Sequence, residues 1–211
     1  MWVKKQMMWL ACIPLLLVTG CFLVADNNPN EQEYYYWYNG EKIALYPNED
    51  KTFLLFDHQP EPEDIASLLD IESHKIGAIK KVELGASLIS TNMRDSEKEN
   101  FWTVVEAKDF DFLSPVISYH APFFYSERGG ELGLTNLFYV KLLKGEDVKI
   151  LEKVAKDNGV RILGNNEFMP LWYTLSCDRN SKGNALEMAN LFYESRLFEA
   201  SEPDLMEEML P

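Results

Sequence analysis

The fold is decided by the stretch from Leu137 to Leu205. It falls into six segments: LFYVKLL (Leu137–Leu143), GEDVKILEKVAKDNG (Gly145–Gly159), VRIL (Val160–Leu163), LWYTLSC (Leu171–Cys177), NALEMANLFYESRL (Asn184–Leu197) and EASEPDL (Glu199–Leu205). The second has a helical period, with Val148, Leu151, Val154 and Ala155 on one stripe, acids in its first turn and Asn158-Gly159 as its stop. The fifth starts at Asn184 as N-cap, with Glu187 three residues on as capping-box partner, and Ala185, Met188, Ala189 and Phe192 form its apolar face. The others are short runs of β-branched, aromatic and aliphatic residues bounded by turn residues. The order strand, helix, strand, strand, helix, strand predicts an α+β fold. Its C-terminal subdomain, residues 114–206, would be a ferredoxin-like split βαβ antiparallel sheet with two helices on one face. That order alone says nothing about function.

Upstream, Tyr34-Tyr35-Tyr36-Trp37-Tyr38 and Glu41-Lys42-Ile43-Ala44-Leu45-Tyr46 flank Asn39-Gly40. Asn-Gly accepts positive φ at both positions, so the segment predicts a β-hairpin. A strand at Thr52–Phe56, a short helix at Pro62–Leu69 and strands near Ile79–Ile89 and Phe101–Glu106 complete a β-rich subdomain over residues 33–113. Strand-like runs at Pro115–Tyr125 and from Leu134 lie on either side of Gly129-Gly130. Residues 207–211 form a tail.

The N-terminus carries Lys4 and Lys5, an apolar run from Trp9 to Val18, and Leu17-Val18-Thr19-Gly20-Cys21. This resembles a bacterial lipobox. It implies a signal peptide over residues 1–20, lipid attachment at Cys21, a flexible tether at 21–32, and a bacterial cell-envelope location on the membrane through the anchor. Loss of Lys4 and Lys5 with the signal moves the net charge from -14 to -16. Such an acidic chain does not fit nucleic acid, whose phosphates need clustered Lys and Arg. Cys12 leaves with the signal and Cys21 takes lipid, so Cys177 stands alone and no intramolecular disulfide is expected.

Catalytic and metal constellations are absent from the pattern. His58, His74 and His120 are scattered, and none has a second histidine or a cysteine at metal spacing. Asp178 to Gly183 imitates the start of a calcium loop, but Ala189 stands where the bidentate glutamate belongs. Gly129, Gly130 and Gly133 are followed by no G-K-[ST]. No cofactor is implied. The aromatic run Tyr34–Tyr38 invites a sugar-stacking reading, although strand alternation limits one platform to about half of its rings.

Four stretches bear a family resemblance. Tyr34 to Leu45, Asn165-Asn166-Glu167-Phe168-Met169-Pro170-Leu171-Trp172-Tyr173-Thr174-Leu175, and Gly183 to Ser195 with Phe198 to Met206 resemble the N-terminal pro-regions of bacterial subtilisin-like serine peptidases. The Asp, H-G-T-H and G-T-S-x-A motifs of the peptidase domain do not occur. The resemblance therefore implies a non-catalytic protein that binds a subtilisin-like protease in trans, inhibiting it or assisting its folding. It assigns Glu167 to the N-termini of enzyme helices. It assigns Trp172, Thr174 and Ser176, opposite in alternation to Leu171, Tyr173, Leu175 and Cys177, to the enzyme-facing sheet. It assigns Glu202, Pro203, Asp204, Leu205 and Met206 to a tail in the substrate cleft. A surface glycan- or peptide-binding lipoprotein module is the alternative, and a truncated gene without function a third.

Overall fold

A computed structural model describes residues 34–83, 88–90, 100–107 and 114–207. The expected signal peptide, the expected lipid site Cys21, the expected tether and positions 208–211 lie outside the described residues. The first hairpin joins β1 (Tyr34–Tyr38) to β2 (Glu41–Phe56), with Tyr34 opposite Leu45 and Tyr38 opposite Glu41. Its turn residues Asn39 and Gly40 have φ values of 49° and 81°. β2 is a single strand of 16 residues that runs through Pro47, where the sequence suggested two separate strands. It changes partners along its length. The first part pairs with β1, and Thr52–Phe56 lies between β5 (Phe101–Val105) and β6 (Ile117–Tyr125), with a register shift between Asn48 and Thr52. Helix α1 (Pro62–Leu69) begins with proline in its first turn, where the missing N–H is no loss. Two short strands, β3 (Lys80–Lys81) and β4 (Leu88–Ser90), pair with β5 and with β8 (Arg161–Asn166) respectively.

The second half comprises β7 (Glu131–Lys141), α2 (Val148–Asp157), β8 (Arg161–Asn166), β9 (Trp172–Ser176), α3 (Ala185–Glu194) and β10 (Ala200–Glu207). Asn184 caps α3 by accepting the Glu187 N–H, and the Glu187 carboxylate accepts the Asn184 N–H in return. This reciprocal box removes two unpaired donors from the helix start.

The expected ferredoxin-like unit is not what forms. The described strands join in one mostly antiparallel, ten-stranded sheet that curls into a half-barrel, in place of a four-stranded sheet carrying two helices on one face. The main path runs β3-β5-β2-β6-β7-β9-β8-β4, with β1 added to β2 and β10 added to β7. The reason lies in one long strand, β7. β7 pairs through Glu131–Gly133 with β6 and through Leu137–Lys141 with β9, so the C-terminal strands cannot close off as a separate sheet. The helices follow the same continuity: α3 packs on β7, on β10 and on β1 from the other end of the chain, whereas α2 packs on β8.

The core explains why the central strands are apolar on both sides. Phe53 and Leu55 of β2 join the main cluster with Phe123, Phe138, Leu175 and Phe192. Leu54 and Phe56 point to the other side, against Ile65 and Leu69 of α1 and Val105 and Ile117. A run such as Phe53-Leu54-Leu55-Phe56 is what a strand covered on both faces requires. The described residues from Tyr34 to Glu207 belong to one compact unit.

Candidate functional site

Two surface features concentrate groups able to bind a ligand or partner. The first is the turn between β8 and β9. Asn166 Oδ1 accepts the N–H groups of Phe168 (2.9 Å) and Met169 (3.1 Å), and the Trp172 N–H donates to the Met169 carbonyl (2.8 Å). These bonds fix the turn while Phe168 stands 78 % exposed and Met169 51 % exposed. Glu167 lies beside them, exposed.

The residues assigned to an enzyme-facing sheet separate in the structure. Trp172 lies opposite Lys141 and Thr174 opposite Tyr139, both half-buried. Ser176 is only 2 % exposed, opposite Leu137 and Arg161, so it offers no surface. Leu175 and Cys177 point into the core, and burial pushes the Cys177 thiol up to about 12. The stretch Glu202 to Met206 is strand β10, not a free tail. Glu202 pairs opposite Tyr139, Pro203 is buried opposite Phe138, and Leu205 and Met206 pack against the main core. Asp204 accepts hydrogen bonds from Thr135 Oγ1 (2.8 Å) and Tyr139 Oη (3.0 Å). Burial and the neighbouring Asp204 carboxylate raise the Tyr139 hydroxyl well above its ordinary range, so it remains a donor.

The second feature is a cleft of about 450 Å³ between the first hairpin and the end of α3. Alternation along β1 sorts its rings. Tyr34 goes inward, 5.2 Å from Phe124, and Tyr36 also packs against the core. Tyr35 and Trp37 face α3, where Trp37 stacks on Tyr193 at 4.8 Å with an interplanar angle of 24°. Glu194 Oε1 accepts both Trp37 Nε1–H (3.0 Å) and Tyr35 Oη–H (2.7 Å). Those bonds, Trp37 first, hold its carboxyl below the usual range, and Lys42, 3.9 Å above the Tyr35 ring, adds to the effect. Arg196, Phe198 and Glu199 line the remaining wall, and Gly40 closes the hairpin side. Phe198 is buried against Phe192, and Glu199 holds Lys141 Nζ at 2.7 Å. Of the side chains that line this cleft, the aromatic run contributes Trp37. Tyr193 and Glu194 looked like ordinary positions on a helix, and only their shared face at its last turn could have marked them.

Among the described residues no group of three His, Cys, Asp or Glu side chains could hold a metal ion. No helix among them is long and apolar enough to cross a membrane. By fold the chain is a curled, mostly antiparallel sheet protein with helices packed on it. The chain matches no family model, no curated protein and no solved structure.

Proposed function

We propose that this protein is a lipid-anchored, non-catalytic module of the bacterial cell envelope that docks onto a partner protein through the β8–β9 turn. The observation that carries this reading is the fixed, exposed Phe168 and Met169. A partner pocket that covered one such side chain fully would gain ~1.5–3 kcal/mol, and the ordering of the turn is already met in the free protein. Glu167 places a carboxylate beside these anchors, suited to a basic rim or a helix N-terminus on the partner. The resemblance names a subtilisin-like serine protease as the partner class. Because Glu202 to Met206 is spent on pairing with β7, binding or folding assistance fits better than blockage of a cleft by those residues.

The test is a titration of the full chain, in detergent micelles, against subtilisin-like proteases, read by chromogenic peptide hydrolysis and light scattering. Binding should weaken at least about tenfold in the double variant Phe168→Ala, Met169→Ala, since more than 1.4 kcal/mol of apolar contact is lost. Glu167→Gln should weaken it by ~0.3–2 kcal/mol. No complex with any of them up to about 100 μM, or a complex indifferent to the double variant, would refute the proposal. The anchor is checked separately: Cys21→Ala should abolish palmitate incorporation, and equal labelling of both forms would remove the lipid assignment.

A further inference from the structure

We propose that the cleft between β1 and the end of α3 binds a neutral saccharide, with Tyr193, Glu194 and Arg196 engaging its hydroxyls over a wall formed by Trp37 and Phe198. This goes beyond docking at the β8–β9 turn, which belongs to other elements. The first argument is the set of unmet polar groups. The Tyr193 hydroxyl makes no hydrogen bond, and Arg196 no ion pair, with any described residue. Both hydrogen bonds to Glu194 end on Oε1, which leaves Oε2 to accept from a ligand. A phenol, a carboxylate and a guanidinium therefore border one cleft with hydrogen-bonding capacity to spare.

The second argument is the backbone at Arg196. It follows the last turn of α3 with φ 58°, and its N–H donates to the Tyr193 carbonyl at 3.1 Å. This is the left-handed position just past a helix, where glycine or asparagine is the favoured residue. The chain instead holds arginine there, at the rim of the cleft. Strained backbone that persists beside a cavity is a mark of binding sites.

Charge decides the ligand class. An anionic ligand would meet Glu194, which Trp37 and Tyr35 hold in the ionised form. A cationic ligand would meet Arg196, with the Lys42 ammonium already seated on the Tyr35 ring and 5.5 Å from the Trp37 ring. Sugar hydroxyls both donate and accept, so neighbouring hydroxyls can satisfy the carboxylate and the guanidinium together, while C–H groups of the ring lie against the aromatic wall. The volume lies within the range of small-molecule sites.

The experiment is NMR titration of the full chain in micelles with cellobiose, maltose, chitobiose and mannobiose, followed at the Trp37 indole N–H, which Trp37→Phe assigns. At least one disaccharide should shift that resonance in a saturable way, more tightly than glucosamine, glucuronate or the neutral peptide acetyl-trialanine amide. Tyr193→Phe keeps the ring stack and removes only the hydroxyl. Arg196→Gly suits the left-handed backbone and removes only the guanidinium. Each should weaken binding by about three- to tenfold, the worth of one hydrogen bond. The inference is overturned if none of the four disaccharides shifts the signal up to about 50 mM. It is equally overturned if both variants bind as the unaltered chain does, or if a charged sugar or the peptide binds more tightly.

Discussion

Replacing Gly159 by alanine tests how α2 is joined to the rest of the molecule. Gly159 follows the helix at φ 68°, with the Val160 N–H returning to the Ala155 carbonyl at 2.9 Å. A Cβ there would overlap the backbone carbonyl oxygen of Asn180. The Asn180 loop cannot simply withdraw, because Ser181 Oγ donates to the Gly159 carbonyl (3.0 Å) and the Lys182 N–H donates to the Asn158 carbonyl (3.1 Å). Two effects add. The left-handed conformation costs a non-glycine residue ~1–2 kcal/mol, and relieving the overlap costs a further ~1–3 kcal/mol. Gly129 supplies the control: its φ is 80°, and a Cβ there meets no atom within 4 Å. Gly129→Ala should cost only the ~1–2 kcal/mol of backbone strain. Effects on the unfolded chain are alike in the two variants and cancel in the comparison. Urea unfolding followed by far-UV circular dichroism should show equal m-values and a lower midpoint for Gly159→Ala than for Gly129→Ala. Stabilities of the two variants within about 0.5 kcal/mol of each other would refute the contact.

Four further outcomes follow from the packing and the titrating groups. Phe192→Ala removes a fully buried ring lying 5.2 Å from Phe138 and 5.4 Å from Phe198, and should destabilise by ~3–5 kcal/mol in the same assay. Cys177, buried and with its thiol pushed up to about 12, should resist a thiol reagent at neutral pH and react fully in denaturant; rapid labelling of the native protein would contradict its placement. Burial raises the Glu202 carboxyl, so stability should fall as pH rises from the ordinary carboxylate range through the folded value. Glu202→Gln should flatten that fall and raise Tm near neutral pH but not in acid. Glu194 has the opposite sign. Its depressed carboxyl stabilises the fold above the ordinary range, and this is lost as pH falls through the folded value, which hydrogen exchange of the Trp37 indole N–H should report as faster opening in acid.

Local elements were legible because their signals are local. Asn39-Gly40 specifies a hairpin through the backbone freedom of two adjacent residues, and the hairpin is present with Tyr38 opposite Glu41. The Asn184–Glu187 box and the Asn158-Gly159 stop mark helix ends through hydrogen bonds that close within a few residues. The alternation along β1 likewise separated Tyr34 and Tyr36 from Tyr35 and Trp37.

Where the chain turns, caps and alternates is therefore written in neighbouring residues. Which strands meet is settled by packing over the whole molecule. Apolar alternation tells which face of a strand is buried but not which edge is paired, so β7 reads the same whether it ends a small sheet or continues into β6. Doubly apolar runs such as Phe53-Leu54-Leu55-Phe56 were the one hint of a larger sheet, since a strand at the centre needs cover on both faces. The cleft was beyond reach for the same reason. Trp37 and Glu194 are separated by 157 positions, and the hydrogen bond that joins them exists only because α3 packs against β1 in the folded chain.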